Sequence, residues 1–447
     1  MKRIRRALCC LAFLSISHPV FANPYMETLS NGLKVVVKED SRAPVVVSQI
    51  WYRAGSLDEF NGTTGVAHAL EHMMFKGTKK VPAGQFSKLI AAAGGRENAF
   101  TAQDYTAFFQ ELDKSKLPLA MKLESDRMKN LLLSEKEFSK EIKVVMEERR
   151  LRTADQPHAL LYEKMMSVAY QENPYRRPVI GWMNDLESMT VQDVRNWYRR
   201  WYAPNNATLV VVGDVDHRKV FALAKRYYGR IKPSILPVRK PQTEPEQTGI
   251  KRIEVKAPAN MPYLLMGYHV PEIRDAAKDW EPYALDVLQG VLDGYDAARL
   301  DKALTRDNQV AVSVGAEYED VARGPGMFVI EATPSQGKKV SDVEEAAKKE
   351  IGKVAREGVT EDELKRVKAL VTAAHVFHRD SMFYQAMQIG QLESVGLSYK
   401  DIDVMLKKIN EVTADQVKAV AKKYFVDDNL TIAVLDPQPS KGRAHGQ

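Results

Sequence analysis

TVQDVRNWYRRWYAPNNATLVVV, residues 190–212, and TADQVKAVAKKYFVDDNLTIAVL, residues 413–435, superpose without a gap at an offset of 223 residues. In each stretch a Thr opens an amphipathic run suited to a capped helix. An Asn-bearing turn follows, and then an apolar β-branched run that reads as a strand. Thr, Val, an aromatic residue, Asn and Thr recur in register. A repeat of about 200 residues implies duplicated domains, because solenoid units are far shorter. Between the two halves, LPVRKPQTEPEQTGI at 236–250 is rich in Pro, Gln, Thr and charge and lacks apolar periodicity, which is linker composition. The expected plan is one half over residues 23–235 and a second, homologous half over 251–438.

Within the first half, strand patterns fall at LKVVVKED and APVVVSQIWYRAG, and helices around 65–76 and 82–93. NAFTAQDYTAFFQEL reads as one further strand, and helices fill 115–170. Strands mixed with runs of helix predict an α+β fold of two duplicated halves, each a mostly antiparallel sheet with helices packed on one side. The 447 residues, 45% of them hydrophobic, suffice for two sizeable cores.

The first 22 residues stand apart. Lys2, Arg3, Arg5 and Arg6 precede the apolar run ALCCLAFLSI, and Val20-Phe21-Ala22 offers small residues where a signal peptidase reads. This is the pattern of a secretory signal peptide, and it predicts a periplasmic protein. Cys9 and Cys10 would leave with it, so the mature chain would have no disulfide and no thiolate chemistry. The formal charge of +7 would lose four cations and fall to about +3, which argues against nucleic acid as a partner. No later stretch reaches 18 uncharged apolar residues, so no membrane span is expected after signal removal.

GVAHALEHMMFKGT, at 65–78, carries the chemistry. His68 and His72 are four residues apart, so on a helix they share one face and can hold one ion through their imidazoles. Glu71 lies close to that face, where a carboxylate can take a proton from a water that the ion has acidified. The order His-x-x-Glu-His is the inverse of the commoner zinc-peptidase motif. A catalytic zinc site keeps three protein ligands, and SEKEFSKEIKVVMEERRLR, from Ser134, offers the third. Spacing alone leaves Glu141, Glu147 and Glu148 as alternatives.

The chain resembles the pitrilysin/insulinase family of zinc metallopeptidases, especially its shorter members related to the mitochondrial processing peptidase. Further matching stretches are NGLKVVV at 31–37, GGRENAFTAQDYT at 94–106, RRPVIG at 176–181 and YAPNNATLVVVGDV at 202–215. The family pairs its motif with a Glu about 76 residues beyond the second His, which here is Glu148. The resemblance implies one zinc ion per chain held by His68, His72 and Glu148, with Glu71 as catalytic base and Glu141 orienting the site from behind. It also implies that residues around Asn98 and Ala99 form an exposed sheet edge to which an unfolded peptide adds as a strand. The implied function is a zinc endopeptidase. The alternative is a non-catalytic peptide-binding or scaffold subunit of the same fold, and a metal-dependent enzyme of other chemistry is a third reading.

One stretch departs from the family. Full-function members carry an Arg and, seven residues on, a Tyr in the second half, in a pattern resembling SRLxxxLRExxGLAYSV. Here the stretch is ARLDKALTRDNQVAVSV, 298–314, with Thr305 and Val312 at those positions. Arg306 and Tyr318 are the nearest substitutes. The departure predicts a partner: a homologous subunit carrying the Arg–Tyr pair. YALDVLQGVLDG, where the duplicated helix falls, has neither His nor Glu, so the second half should bind no zinc.

Overall fold

A computed structural model describes residues 23–439; the expected signal peptide lies outside the described residues. The first half runs β1 (Tyr25–Thr28), β2 (Lys34–Glu39), β3 (Val45–Tyr52), α1 (Val66–Met73), α2 (Gln85–Ala92), β4 (Arg96–Thr101), β5 (Thr106–Asp113), α3 (Leu117–Asn130), α4 (Glu135–Arg149), α5 (Pro157–Ala169), α6 (Met183–Ser188), α7 (Val191–Trp201), β6 (Ala207–Gly213) and α8 (His217–Tyr228). The second runs β7 (Lys251–Pro258), β8 (Tyr263–Val270), α9 (Glu281–Asp293), β9 (Ala311–Tyr318), β10 (Gly326–Pro334), α10 (Val340–Glu357), α11 (Glu361–His378), α12 (Met382–Val395), α13 (Asp401–Glu411), α14 (Ala414–Tyr424) and β11 (Leu430–Gln438).

The two sheets repeat one topology. The first has the order β1-β2-β6-β3-β5-β4 and the second β7-β11-β8-β10-β9. In each, one neighbouring pair is parallel, β2 with β6 and β7 with β11, and the rest are antiparallel. The repeated sequence forms α7 with β6 and α14 with β11. Both helices open on a capping box: Thr190 with Asp193, and Thr413 with Gln416. Residues 232–248 have no regular structure and cross between the sheets, where the Glu244 carboxylate accepts the backbone N–H groups of residues 171–173.

NAFTAQDYTAFFQEL is two strands rather than one. The chain reverses at 102–105, with Ala102 N–H donating to the Tyr105 carbonyl at 2.9 Å, and β4 and β5 pair from Arg96–Glu111 to Thr101–Thr106. Apolar alternation runs through both strands, so the pattern hid the turn. β4 ends the first sheet and β9 ends the second.

Helices cover one face of each sheet from its own half, as the α+β reading requires. The opposite faces are covered by exchange. Val36, Val47, Trp51, Val210 and Val212 of the first sheet bury against Ala386 and Ile389 of α12. Leu265, Ala433 and Leu435 of the second sheet bury against Leu161, Met165 and Ala169 of α5. Gly390 permits the first of these contacts, since a Cβ there would lie 2.0 Å from Trp51 Cε2. Gly390→Ala is therefore expected to destabilise the chain by about 1–3 kcal/mol through overpacking, read as a lower urea midpoint. An unchanged midpoint would contradict this account of the exchanged helix.

Candidate metal centre

α1 is short, so its start has to be fixed from outside. Val66, Ala67, Ala69, Leu70 and Met73 turn into the core of the first half. The helix start is closed by Glu59, whose two carboxylate oxygens accept the N–H groups of Gly65 and Ala67, each at 2.8 Å. The carboxyl group there satisfies orphan donors of the helix start. Burial pushes Glu59 up to about 8, opposed by those two bonds and by Arg177. The remaining face carries His68, Glu71 and His72.

α4 packs across α1 and starts at Ser134, whose hydroxyl accepts Glu137 N–H. Phe138 and Val145 anchor it, and Glu141 and Glu148, two turns apart, project towards α1. His72 Nδ1 lies 3.0 Å from Glu141 Oε1, and His72 Nε2 lies 3.2 Å from Glu148 Oε2. His68 Nε2 lies 3.8 Å from Glu148 Oε1. Of the three acids left open by spacing, Glu147 instead points outward, 58% exposed and paired with Arg150. Lys76 Nζ sits 2.6 Å from Glu141 Oε2, and Arg152 Nη1 sits 2.7 Å from Glu148 Oε1.

Glu71 is held from the side. Thr101, at the end of β4, donates its hydroxyl to Glu71 Oε2 at 2.6 Å. Burial raises the Glu71 carboxyl above its ordinary value, opposed by that bond and by His72. Burial drives His68 down to about 3, keeping the imidazole neutral, as a ligand must be. Burial also pulls on His72, yet the Glu141 bond and the charges of Glu148 and Glu71 outweigh it and leave its pKa raised. The position of His72 therefore favours positive charge, and that of His68 does not.

These residues fit a divalent cation. Donor atoms of His68, His72 and Glu148 all lie within 4.8 Å of one another, an imidazole–imidazole–carboxylate set that suits zinc. Glu141 fixes the His72 ring through its other nitrogen, the usual support for a ligating histidine. His68 Nδ1 is buried and lacks a hydrogen-bond partner. Among the described residues one other group, Glu39, Asp216 and His217, comes as close. There Asp216 caps α8, and Glu39 accepts the His217 backbone N–H.

The cluster opens into a cavity of about 850 Å3 between α1, β4 and α5. Asn98 and Ala99 of β4 line it, on a strand whose outer edge has no partner strand among the described residues. The second half contributes neither substitute for the Arg–Tyr pair to this cavity. Thr305 bonds Asp301, and Val312 is 61% exposed on β9. Arg306 pairs with Asp301, and Tyr318 donates to the Pro271 carbonyl at 2.6 Å. α9 carries no His, and no group of candidate metal ligands forms on it among the described residues. Sequence reasoning missed Thr101, Glu59 and Arg152. Only Glu59 left a signal, an acid shortly before a helix start.

Residues 34–182 match the sequence family described as Insulinase (Peptidase family M16), and residues 188–371 match the Peptidase M16 inactive domain. The zinc protease PqqE of Helicobacter pylori is 30% identical over 418 residues, covering 92% of each chain. A crystal structure of a protease from Helicobacter pylori superposes with a TM-score of 0.88 at 28% identity, covering 93% of this chain and all of that one. The periplasmic protease PqqL of Escherichia coli gives a TM-score of 0.79 at 18% identity, a likeness of fold alone that spans 93% of this chain and 48% of that one.

Two measurements test the centre. A chelator-competition titration should find one divalent ion per chain, lost in His68→Ala and in His72→Ala. Glu141→Ala should weaken binding roughly ten- to a hundredfold, and Glu148→Ala more severely. The reverse order would exchange the roles of the two carboxylates. The second test uses pH. Glu59 sits at about 8 in the folded chain against an ordinary 4.5, so the folded state keeps a proton that the unfolded chain releases. Its contribution to stability is complete below 4.5 and is lost as pH rises through about 8. Glu59→Gln should flatten that part of the stability–pH curve, and an unchanged slope would refute the assignment.

Proposed function

Because the chain belongs to the insulinase (M16) peptidase family, we propose that it is a zinc-dependent endopeptidase that cleaves unfolded peptides or protein segments. The observation carrying this reading is the placement of Glu71: hydrogen-bonded to Thr101, beside the His68–His72–Glu148 cluster, under the free edge of β4. A divalent cation bound by His68, His72 and Glu148 would polarise a peptide carbonyl and acidify water. The chain's own residues do the rest. The outer edge of β4 near Asn98 and Ala99 binds an extended backbone by strand addition, the Ala99 N–H first leaving Asn98 Oδ1, which accepts it at 2.9 Å in the free chain. Glu71 Oε2 is fixed by Thr101, so Oε1 takes the proton from the attacking water and returns it to the leaving amine.

The inactive-domain match takes in residues 188–235 of the first half and much of the second, none of them His68, Glu71, His72 or Glu148, and this favours a second reading, a non-catalytic peptide-binding subunit. The complete His-x-x-Glu-His set with Glu148 in the other half supports the enzyme. A homologous partner would supply the Arg and Tyr that Thr305 and Val312 replace, reaching the scissile carbonyl across an interface. Location in the periplasm rests on the signal pattern at residues 1–22. No helix among the described residues is long and apolar enough to cross a membrane.

Glu71→Gln should keep the metal and lose turnover by roughly 10²–10⁴-fold, because the amide accepts no proton. The chain alone should bind the ion yet cleave an unstructured peptide poorly, and a partner carrying the Arg–Tyr pair should restore the rate. High activity from the chain alone, unchanged by Arg306→Ala and Tyr318→Phe, would refute the need for a partner.

A further inference from the structure

Residues 55–59 touch four parts of the molecule at once. Ser56 and Leu57 donate their backbone N–H groups to the carbonyls of Ala102 and Gln103, at 3.2 and 2.8 Å, in the turn between β4 and β5. Gly55 makes that approach possible, since a Cβ there would lie 2.3 Å from the Ala102 oxygen. Asp58, 3% exposed, receives Arg323 Nη1 and Nη2 at 2.8 and 3.0 Å. Arg323 belongs to the loop between β9 and β10, in the second half. Arg239, from the crossover segment, adds its Nε to Asp58 at 2.6 Å. The next residue, Glu59, closes the start of the helix that carries His68, Glu71 and His72.

Arg323 also reaches the β4–β5 turn directly. Its Nη1 donates to the Asp104 carbonyl at 3.1 Å, and its backbone N–H to Asp104 Oδ2 at 2.9 Å. Tyr175 completes the knot, donating its hydroxyl to Asp104 Oδ1 at 2.7 Å and accepting the Gly324 N–H at 2.8 Å. Three residues before Asp104 along the same segment stands Thr101, the donor to Glu71. A buried two-pronged Arg–Asp contact is either made or broken, because either charge alone in that place is strongly disfavoured. The second half thus holds both supports of Glu71: the strand that bears Thr101, and the start of α1.

We propose that Arg323 is a positioning residue for Glu71: by locking Asp58 and the Asp104 turn together, it sets the Thr101–Glu71 hydrogen bond and makes turnover depend on how the two halves are seated. This rests on Glu71 being the base. The half without ligands acts on the reaction through one guanidinium, at a distance from the metal residues.

The test uses the full mature chain, with kinetics measured in whichever composition the unaltered protein turns over an unstructured peptide. In Arg323→Ala, amide hydrogen exchange across residues 98–105 should quicken, on the order of tenfold, in the absence of substrate. Bound zinc per chain should stay the same. kcat should fall on the order of ten- to a hundredfold while KM stays within about twofold. Thr101→Val should lower kcat alike, and Arg323→Ala/Thr101→Val should be no slower than the slower single variant, because both remove one support. Tyr175→Phe, which removes a single hydroxyl, carries the same comparison if Arg323→Ala does not fold. Multiplying losses in the double variant, or faster exchange with kcat unchanged, would overturn the proposal. The underlying reading fails separately: near-normal turnover by Glu71→Gln removes the base, whereas unchanged exchange at 98–105 in Arg323→Ala removes the coupling.

Discussion

Each sheet is apolar on both faces, and neither half has enough helices of its own to cover them. β6 has all seven residues buried: Leu209 and Val211 face the helices of the first half, while Val210 and Val212 face α12, which comes from the second. α5 returns the favour, carrying Leu161 and Met165 from the first half onto the second sheet. Fully burying one such side chain stabilises by about 1.5–3 kcal/mol, so uncovering several at once would exceed the net stability of an ordinary domain. The exchange therefore binds the halves together independently of the crossover segment, which is left free to run without regular structure. It also decides where the cavity lies, because α5 passes from the metal helices to the second sheet and forms one wall on the way.

Chemistry has been placed in one half of a symmetric scaffold. The repeat units, α7 with β6 and α14 with β11, kept the capping Thr and the buried strand because these serve folding in both halves. α1 and α9 did not stay alike. α1 exposes a polar face to the cavity, while the buried residues of α9 include Tyr283, Leu285, Val287, Leu288 and Val291, packed on the second core. A ligand group introduced at those buried positions would lose its hydration inside an apolar core. The half without these groups supplies instead α12, which covers the first sheet, and the Arg323 contact.

The inverse motif, the duplication and the mixed fold were legible in the sequence because each is local or strictly periodic: His68 to His72 is one turn, and the 223-residue offset recurs residue for residue. The third candidate ligand was half legible. Glu141 and Glu148 share a face by helix geometry, but choosing among Glu141, Glu147 and Glu148 required the resemblance, and the structure brings Glu148 to both imidazoles. The turn at 102–105 was masked by alternation that continues through both strands. Helix exchange and the Arg323 contact left no local trace, since their partners lie far apart in the chain: Arg323 and Asp58 are separated by 265 residues. Such contacts follow from how the halves pack, and no periodicity records them.

The charge arrangement at the centre bears on whether this fold works here as an enzyme or as a passive binder. Glu71, Glu141 and Glu148 converge on two imidazoles, with Lys76 and Arg152 as the adjoining cations. Arg152 is 74% exposed, so solvent weakens its pull on Glu148. Burial raises the Glu71 carboxyl, whereas at Glu141 burial is outweighed by His72 and Lys76, which hold its carboxyl down. Glu71 is thus the carboxyl kept there at a cost, and a peptide-binding surface gains nothing from it. Strand addition at β4 needs only main-chain groups. A divalent cation joining two imidazoles and one carboxylate would make the arrangement favourable, and under the proposed function Glu141 would orient His72 and Glu71 would accept a proton. Glu71 is the telling residue, because neither the metal set nor the sheet edge needs it. Its burial is a standing cost that the proposed proton transfer would explain and peptide binding alone would not.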